Sequence, residues 1–395
     1  MFKHLKATFL ASLGAAFFLT SCSSDETIGV VAAHPGERQE IEFSLDMMSR
    51  GTDRTIANLD TIWVYADDGA AEVFPATAFI KNEYGYFKPK SKIYWPDDKE
   101  NLNFTAFWPS LERLNTDQCT TPNNKHQKMT FTPGAVTLTN EIPQYSNLGY
   151  DLITATKQMS KEDYKGTIAL NFTHALTQVD FKVKQNPTAD HRVEIYGFEF
   201  RQGPDNICDY SFKDGSWTFN NHPDSGLCKT NGAPDEMVRV GEEPVSIVSE
   251  NAAIYLHPMT WIFSRYDLKQ STNKTSQLRL FAKIYDEEGN LIYPTEADMS
   301  NVDRATQAST ISIFKSRFGA DLTGTGQIYI QLGKEDITPE PGHKYVFNID
   351  FTFGAGYYSS ADKTSPYAPI LKNPICADVT VEDWTSTELD DMEQN

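Results

Sequence analysis

Short runs in which apolar and polar residues alternate recur along this sequence, and they limit the folds open to it. In EIEFSLDMM at 40–48, Ile41, Phe43 and Leu45 fall on one side of an extended chain, because successive side chains of a strand point to opposite faces. Further alternating runs are LNFTAFWP at 102–109, QLRLFAKIYDEEGNLIYP at 277–294 and KYVFNIDFTF at 344–353. Amphipathic helical patterns of three or more turns are scarce. The pattern therefore predicts an all-β protein built from β-sandwiches.

The segment QNPTAD at 185–190 is the strongest candidate for a linker, because it is polar, contains Pro187 and has no apolar anchor. We therefore predict an N-terminal β-sandwich domain at 40–186 and a C-terminal β-sandwich domain at 187–395. Just before the linker, IALNFTHALTQVDFKVK changes the phase of its alternation at HALTQ, which predicts a bulge or a helical turn. His174 in this run is expected to be packed or hydrogen-bonded rather than a metal ligand.

The start of the sequence has the order of elements found in a secretory signal. Two lysines precede ATFLASLGAAFFLT, an uncharged run of 14 residues. That run is too short to span a membrane, for which about 20 residues are needed. Residues 19–22, LTSC, resemble the lipobox of bacterial lipoproteins, which implies cleavage before Cys22 and lipidation of that cysteine. We expect a signal peptide at 1–21 and a lipidated tether at 22–39 that anchors the protein in the outer membrane. The alternative for Cys22 is a buried or disulfide-bonded cysteine after an ordinary signal.

The residues directly after Cys22, SSDE, resemble the acidic tag of surface-exported lipoproteins of Bacteroidetes bacteria. The resemblance implies exposure on the cell surface, and the alternative is a solvated tether. The chain carries 35 basic and 54 acidic residues, a net charge of −19, and without the two lysines of the signal the balance is 33 − 54 = −21. Such a charge favours solubility. It disfavours nucleic acid as a partner, because Lys and Arg on phosphates supply most of that affinity.

The cysteines that follow Cys22 are Cys119, Cys208, Cys228 and Cys376. None forms a CxxC pair, so a zinc or thiol redox site has little support. Cys208 and Cys228 enclose a predicted hairpin around Asp214-Gly215 and are candidates for a disulfide, which export from the cell permits. The alternative is that both remain thiols, mostly buried.

Motifs typical of catalysis and cofactor binding are missing from the sequence. It contains no HExxH, no GxSxG and no P-loop, and its histidines form no pair at helical spacing. The acidic turns at 67–69 and 286–289 do not match the EF-hand loop, and we interpret them as solvated hairpin tips. We therefore predict no catalytic residue, no metal and no cofactor, and a protein that is not an enzyme. The alternative of a secreted hydrolase would require two carboxylates facing each other across a cleft.

Several segments taken together resemble the fimbrillins of Bacteroidetes, which are also called Mfa-like or type V pilin subunits. In chain order these segments are LTSC, IEFSLDMMSRGT, KIYWPDDKENLNFTAFWP, DLITATK, IALNFTHALTQVDFKVK, PGHKYVFNIDFT and VTVEDW. The resemblance covers nearly the whole chain and is weakest at 110–150 and 200–310. It implies two transthyretin-like β-sandwich domains in tandem. It also implies a location in a fimbrium, with other pilin subunits as partners through β-strand exchange.

The same resemblance implies proteolytic processing. In such pilins an arginine-directed protease removes the N-terminal segment with its first strand, and the vacated groove accepts a strand from a neighbouring subunit. Here the removable strand would be Ile41–Met48 and the cut would follow Arg50 or Arg54, of which Arg50 lies closer to the strand. A cut at Arg38 would precede the strand and open no groove.

The donor strand that such an exchange requires is less evident. Residues 385–395 are acidic, and only Leu389 and Met392 among them are apolar. The position of the subunit in a pilus, whether shaft, anchor or tip, therefore stays open, as does any ligand on a host or bacterial surface. The alternative function is a surface glycan-binding lipoprotein. The one loop cluster that suggests it is Tyr357-Tyr358 in GAGYYSS, for which loop packing is the competing interpretation.

Overall fold

A computed structural model describes residues 38–45, 59–109, 127–141, 151–203, 207–219, 228–249, 253–263, 276–300, 304–358, 369–371, 373 and 375–383. Within them the regular secondary structure is almost entirely β, which confirms the predicted all-β fold. Cys22, Arg50, Arg54 and Cys119 lie outside these residues, so the predictions made for them stay predictions. No helix in the described ranges combines the length and the apolar character that crossing a membrane requires.

The first half of the chain forms one strongly curved sheet and part of a smaller sheet. Its strands are β1 (Phe43–Leu45), β2 (Thr61–Asp67), β3 (Glu72–Lys81), β4 (Phe87–Pro89), β5 (Asn101–Trp108), β6 (Gln127–Thr132), β7 (Ala135–Glu141), β8 (Ile153–Ser160), β9 (Ile168–Leu170) and β10 (Thr173–His174). The curved sheet has the order β10-β8-β5-β2-β3-β4-β1-β9. Buried residues from both ends of this sheet belong to one apolar cluster, so the sheet wraps around a single core.

The second half forms a sandwich of two sheets. Its elements are β11 (Thr177–Lys184), β12 (His191–Gly203), β13 (Ile207–Ser211), β14 (Ser216–Phe219), β15 (Cys228–Gly232), β16 (Val238–Arg239), β17 (Val245–Ser246), β18 (Ile254–Leu256), β19 (Gln277–Asp286), β20 (Leu291–Tyr293), α1 (Glu296–Ser300), α2 (Arg304–Phe318), β21 (Gly326–Ile330), β22 (His343–Asp350), β23 (Tyr357–Tyr358) and β24 (Asp378–Asp383). One sheet has the order β17-β11-β22-β24, and the other β15-β12-β19-β21-β23. Phe181 and Phe347 from the first sheet meet Phe200 from the second in the core, with ring centroids 5.3–6.2 Å apart.

The chain passes from the first apolar core to the second at Ala175-Leu176. Strand β10 pairs with β8 of the first sheet, whereas β11 pairs with β22 of the second sandwich. This explains the change of alternation phase at HALTQ, because the apolar residues before it face the first core and those after it face the second. The QNPTAD segment instead forms the turn between β11 and β12, which belong to the two sheets of one sandwich. Strand pairing therefore favours a domain boundary before Thr177 rather than at 186.

A small sheet with the order β14-β13-β7-β6 joins the two halves. Strand β13 of the second half pairs with β7 of the first, from Ile207 opposite Glu141 to Ser211 opposite Thr137. The inner side of this sheet packs on the outer side of the curved sheet, where the ring of Phe212 lies 5.6 Å from that of Phe107. The predicted hairpin around Asp214-Gly215 is confirmed as β13–β14. Its role as a connection between the halves was not visible in the sequence.

Helix α2 is the main departure from the predicted scarcity of helices. It covers the outer face of β12 and β19, and Phe314 on it packs against Phe281 with ring centroids 5.1 Å apart. Ile311, Phe314 and Phe318 form an apolar stripe in RATQASTISIFKSRF, in which the one other large apolar residue is Ile313. A stripe this narrow is a weak sequence signal for a helix. The sequence pattern therefore did not predict this helix, which packing on β12 and β19 stabilises.

The close contact at Gly326 gives a stability prediction. An added Cβ there would lie 2.3 Å from Cε1 of Tyr293. The tyrosine ring cannot yield, because it is buried and its hydroxyl donates to the Gln327 carbonyl at 2.7 Å. We expect Gly326→Ala to lower the free energy of unfolding by about 1–3 kcal/mol, as overpacking does. Urea denaturation measures the change. Gly241→Ala is the control, since no atom lies within 4 Å of its added Cβ, and an equal loss there would contradict the prediction.

Candidate functional site: strand β1 and its groove

Strand β1 is the first described strand of the chain, yet it lies in the interior of a sheet. It pairs antiparallel with β4, at Phe43 opposite Phe87, and parallel with β9, from Phe43 opposite Ile168 to Leu45 opposite Leu170. The pairing extends upstream, where the Ile41 N–H donates to the Ile93 carbonyl at 2.8 Å and Glu40 lies opposite Tyr94, and we count residues 40–42 with β1 from here on. Backbone groups of β1 are therefore hydrogen-bonded on both sides, unlike those of an edge strand.

The inward face of β1 is apolar, as its alternation predicts. Ile41 and Phe43 are fully buried and Leu45 is 4% exposed. The Phe43 ring meets the rings of Phe79 and Phe104 edge to face, at centroid distances of 4.9 and 5.3 Å. Burial of each such side chain contributes about 1.5–3 kcal/mol, and edge-to-face aromatic pairs add to this. The core enclosed by the curved sheet therefore depends in part on β1.

The outward face of β1 carries acids that pair with lysines. Glu42 lies 2.5 Å from Lys88 Nζ, and Glu40 lies 2.9 Å from Lys92 Nζ. The hydrogen bond from Lys92 to Glu40 raises the pKa of the lysine above its ordinary value. Both lysines are well exposed to solvent, whereas the two glutamates are about one-fifth exposed. Exposed pairs of this kind contribute little to stability.

Tyr164 holds the backbone of β1 from the side of β9. Its hydroxyl oxygen accepts from the Glu42 N–H at 3.2 Å and lies within hydrogen-bonding distance of the Glu40 and Gly166 carbonyls, the latter at 2.9 Å. The hydroxyl has one proton, so it donates to one of these carbonyls at a time. The ring packs against Trp95 at a centroid distance of 5.5 Å, and burial raises the pKa of Tyr164 above its ordinary value.

We use the term β1 groove for the space that β1 occupies between β4 and β9. Its floor consists of the apolar side chains of Phe79, Phe87, Trp95, Phe104 and Ile168, all of them buried. The rim carries Lys88, Lys92 and Tyr164. The groove can therefore bind an extended strand by its backbone and by alternate apolar side chains, the mode known as β-strand addition.

A family model described as fimbrillin-like matches residues 49–384. The chain belongs to the fimbrillin-like family. The matched range begins just after β1 and includes nearly all the described strands.

Two relatives illustrate the similarity of this fimbrillin-like chain to known proteins. Fimbrium subunit Fim1C of Phocaeicola vulgatus is 25% identical over 369 residues, which are 82% of this chain and 92% of that protein. The crystal structure of a fimbrial protein from Bacteroides vulgatus is 17% identical and has a TM-score of 0.48, with coverage of 88% of this chain and 100% of that one.

The candidate disulfide of the fimbrillin-like chain involves two different sheets. Cys208 is buried on β13, where it pairs with Phe219 and Asn140, whereas Cys228 begins β15 and lies opposite Gly203 of β12. A bond between them would tie the small sheet to the second sandwich. This pairing stays a prediction.

Tyr357 and Tyr358 were the predicted loop cluster, and the loop assignment is wrong. They form strand β23, which pairs with β21. Both are half-buried, and the Tyr358 ring packs against Tyr293 at a centroid distance of 5.5 Å. The ring of Tyr358 is thus packed within its own chain, which supports packing over a sugar platform as the interpretation of this residue.

The acidic turns bind protein groups. The Asp68 carboxylate lies 2.6 Å from Lys99 Nζ and accepts from the backbone N–H groups of Ala70 and Ala71, and Lys99 holds its pKa below the ordinary value. Asp286 likewise accepts from the Asn290 backbone and side chain. In the described ranges no three His, Cys, Asp or Glu side chains are placed to hold a metal ion.

His174 lies at the junction of the two halves, next to Asp151. The two side chains are buried and hydrogen-bond to each other through Nδ1 and Oδ2. This agrees with its interpretation as a packed, hydrogen-bonded histidine. The residues that sequence reasoning missed are Lys88, Lys92 and Tyr164, because their contacts with β1 depend on strand pairing rather than on any local motif.

Proposed function

We propose that this protein is a structural or adhesive subunit of a cell-surface pilus, assembled by strand exchange after removal of its first strand. The observation that carries the proposal is the position of β1. It is a buried interior strand, yet it connects to the rest of the chain only through residues 46–58, which contain Arg50 and Arg54. Membership of the fimbrillin-like family and similarity to a fimbrium subunit support the same function.

Removal of β1 would leave a groove that only another strand can fill. The facing backbone groups of β4 and β9 would lose their partners, and the floor around Phe79 and Phe104 would meet water. Unpaired strand edges and exposed apolar surface both favour strand addition. A segment of a neighbouring subunit would restore the hydrogen bonds and the core together, which links the subunits without a covalent bond.

The proposal includes export as a lipoprotein. Cys22 would carry the lipid and hold the precursor at the outer membrane, with the acidic residues after it directing exposure at the surface. Cleavage after Arg50 or Arg54 would then separate the body from both its anchor and β1. The same cut thus severs the link to the anchor and allows β1 to leave the groove.

Limited proteolysis of the signal-free chain tests the proposal. We expect a low dose of trypsin to cut after Arg50 or Arg54, and the body that has released β1 to take up an added labelled peptide with the sequence of residues 38–48 in a complex that survives mild denaturant. N-terminal sequencing and gel electrophoresis measure the two steps. The double variant R50Q/R54Q should take up no peptide, because β1 remains attached.

The control variant R38Q should behave like the parent chain, since a cut at Arg38 precedes β1 and leaves the strand attached. A chain that stays uncut at both sites, or that is cut and takes up no strand after β1 has been released, would contradict assembly by strand exchange.

A further inference from the structure

We propose that the β1 groove selects its occupant by charge as well as by apolar pattern. The occupant is an extended segment of a different pilus subunit, with acidic side chains at two alternate outward positions and apolar side chains at three inward ones. Lys88 and Lys92 recognise the acids. This inference rests on the proposed strand exchange and adds the chemistry by which a partner is chosen.

The rim of the groove is basic, although the chain as a whole is strongly acidic, with a net charge of −19. The carboxylates that face Lys88 and Lys92 in the described residues are those of Glu42 and Glu40, both on β1. Departure of β1 therefore removes the two counter-charges together. A vacated groove with two lysines favours an incoming acidic strand, because complementary charge speeds encounter and excludes wrong partners.

The register of an occupant is fixed by Tyr164. Its hydroxyl bridges the Glu40 carbonyl and the Glu42 N–H, which are the backbone groups of the two residues that face the lysines. The Gly166 carbonyl, 2.9 Å from the same hydroxyl, can accept its proton when β1 is absent. The buried Tyr164 hydroxyl therefore still has a hydrogen-bond acceptor when the groove is empty. Because a slip of one residue turns every side chain to the opposite face, this clamp aligns acids with lysines and apolar residues with the floor.

The sequence of β1 is the template for the occupant. Residues 40–45, EIEFSL, follow the pattern acidic, apolar, acidic, apolar, any, apolar. The segment 384–395, WTSTELDDMEQN, is acidic enough, but no two of its apolar residues, Trp384, Leu389 and Met392, stand two positions apart. No register of that segment fills the three inward positions. Strand β24, which precedes it, already pairs with β22 of its own chain. A different subunit therefore fits better than this segment of a second copy.

Peptide exchange on the cut chain tests the inference. The signal-free chain is cut after Arg50 or Arg54 so that β1 remains bound without a covalent link, and mild urea allows it to exchange with labelled peptides. The first peptide has the sequence of residues 38–48. The second is the same peptide with Glu40→Lys and Glu42→Lys, and the third is the sequence of residues 384–395. Fluorescence anisotropy measures the dissociation constants.

We expect the parent groove to bind the acidic peptide about tenfold more tightly than its lysine counterpart, the combined effect of two exposed ion pairs. The variant K88E/K92E should reverse this preference. The matched control K90E changes the charge of an exposed lysine between the two and should keep the parent's preference.

Each result has a distinct meaning. If no peptide binds the cut chain, strand exchange itself fails. If the acidic and lysine peptides bind equally, or if K88E/K92E keeps the parent's preference, charge selection is wrong while strand exchange stands. Binding of the 384–395 peptide as tightly as the 38–48 peptide would overturn the assignment to a different subunit and make a second copy the occupant.

Discussion

Replacement of Phe43 by alanine should lower the free energy of unfolding of the uncut, signal-free chain by about 3–5 kcal/mol. The side chain is fully buried between Phe79 and Phe104, and β1 is hydrogen-bonded on both sides. Neighbouring strands hold the backbone in place, so the cavity cannot close by collapse. Urea denaturation followed by tryptophan fluorescence measures the change, since Trp95 lies in the same core, 6.0 Å from Phe104.

Phe353→Ala is the matched control for this prediction. Phe353 is 78% exposed, so the same chemical change should alter stability by less than about 0.5 kcal/mol. The F43A variant also distinguishes an effect on the stability of the uncut chain from an effect on assembly. Once β1 has been cut away, the bodies of F43A and the parent are identical, and both should assemble alike. A small loss of stability in uncut F43A would contradict the view that β1 is part of the core.

Acid should destabilise the protein through His257, and the variant His257→Gln should show a flatter dependence of stability on pH. Complete burial lowers the pKa of His257 to about 3, from an ordinary value of 6.5. Between these values the unfolded chain binds a proton that the folded chain does not. The stability that depends on neutral His257 is therefore complete above pH 6.5 and is lost as the pH falls towards 3. At pH 4.5 the loss from this residue should be about 3 kcal/mol.

Urea denaturation at several pH values between 8 and 4.5 checks this. H257Q should be somewhat less stable than the parent at pH 8, because the side chain packs against Trp217 at a centroid distance of 4.6 Å, but should lose less on acidification. H343Q removes a half-buried histidine and serves as the control for loss of a histidine as such. An H257Q curve parallel to that of the parent would show that another group governs the acid response.

Patterns confined to neighbouring residues were predictable, because the side-chain period of a strand is a local property. The alternation in 40–48 identified β1 and its buried face. The turns of the hairpins at 79–89 and 277–293 carry Gly85 and Gly289 with positive φ, and glycine at such a turn is likewise a local signal. The family resemblance rested on these same segments.

Features that depend on distant residues were not predictable from local pattern. QNPTAD has the composition of a linker, but a turn between two strands of one sandwich has the same composition, so composition alone does not locate the boundary. Tyr164 lies in the polar stretch KEDYKG, and nothing near it marks the hydroxyl as a contact of β1. The pairing of β13 with β7 likewise joins residues from the two halves. Sequence alternation identifies strands but not their neighbours.

The parallel pairing of β1 with β9 also has a consequence for the order in which the protein folds. Glu42 and Tyr164, which hydrogen-bond across this region, lie 122 positions apart in the sequence. A chain synthesised from its N-terminus presents β1 long before β9 exists, while β2, β3, β5 and β8 find partners closer along the chain. Contacts of such high sequence separation form late, because a long loop must first be closed. The strand that the proposed assembly gives up is thus the one that we expect the newly made chain to add last.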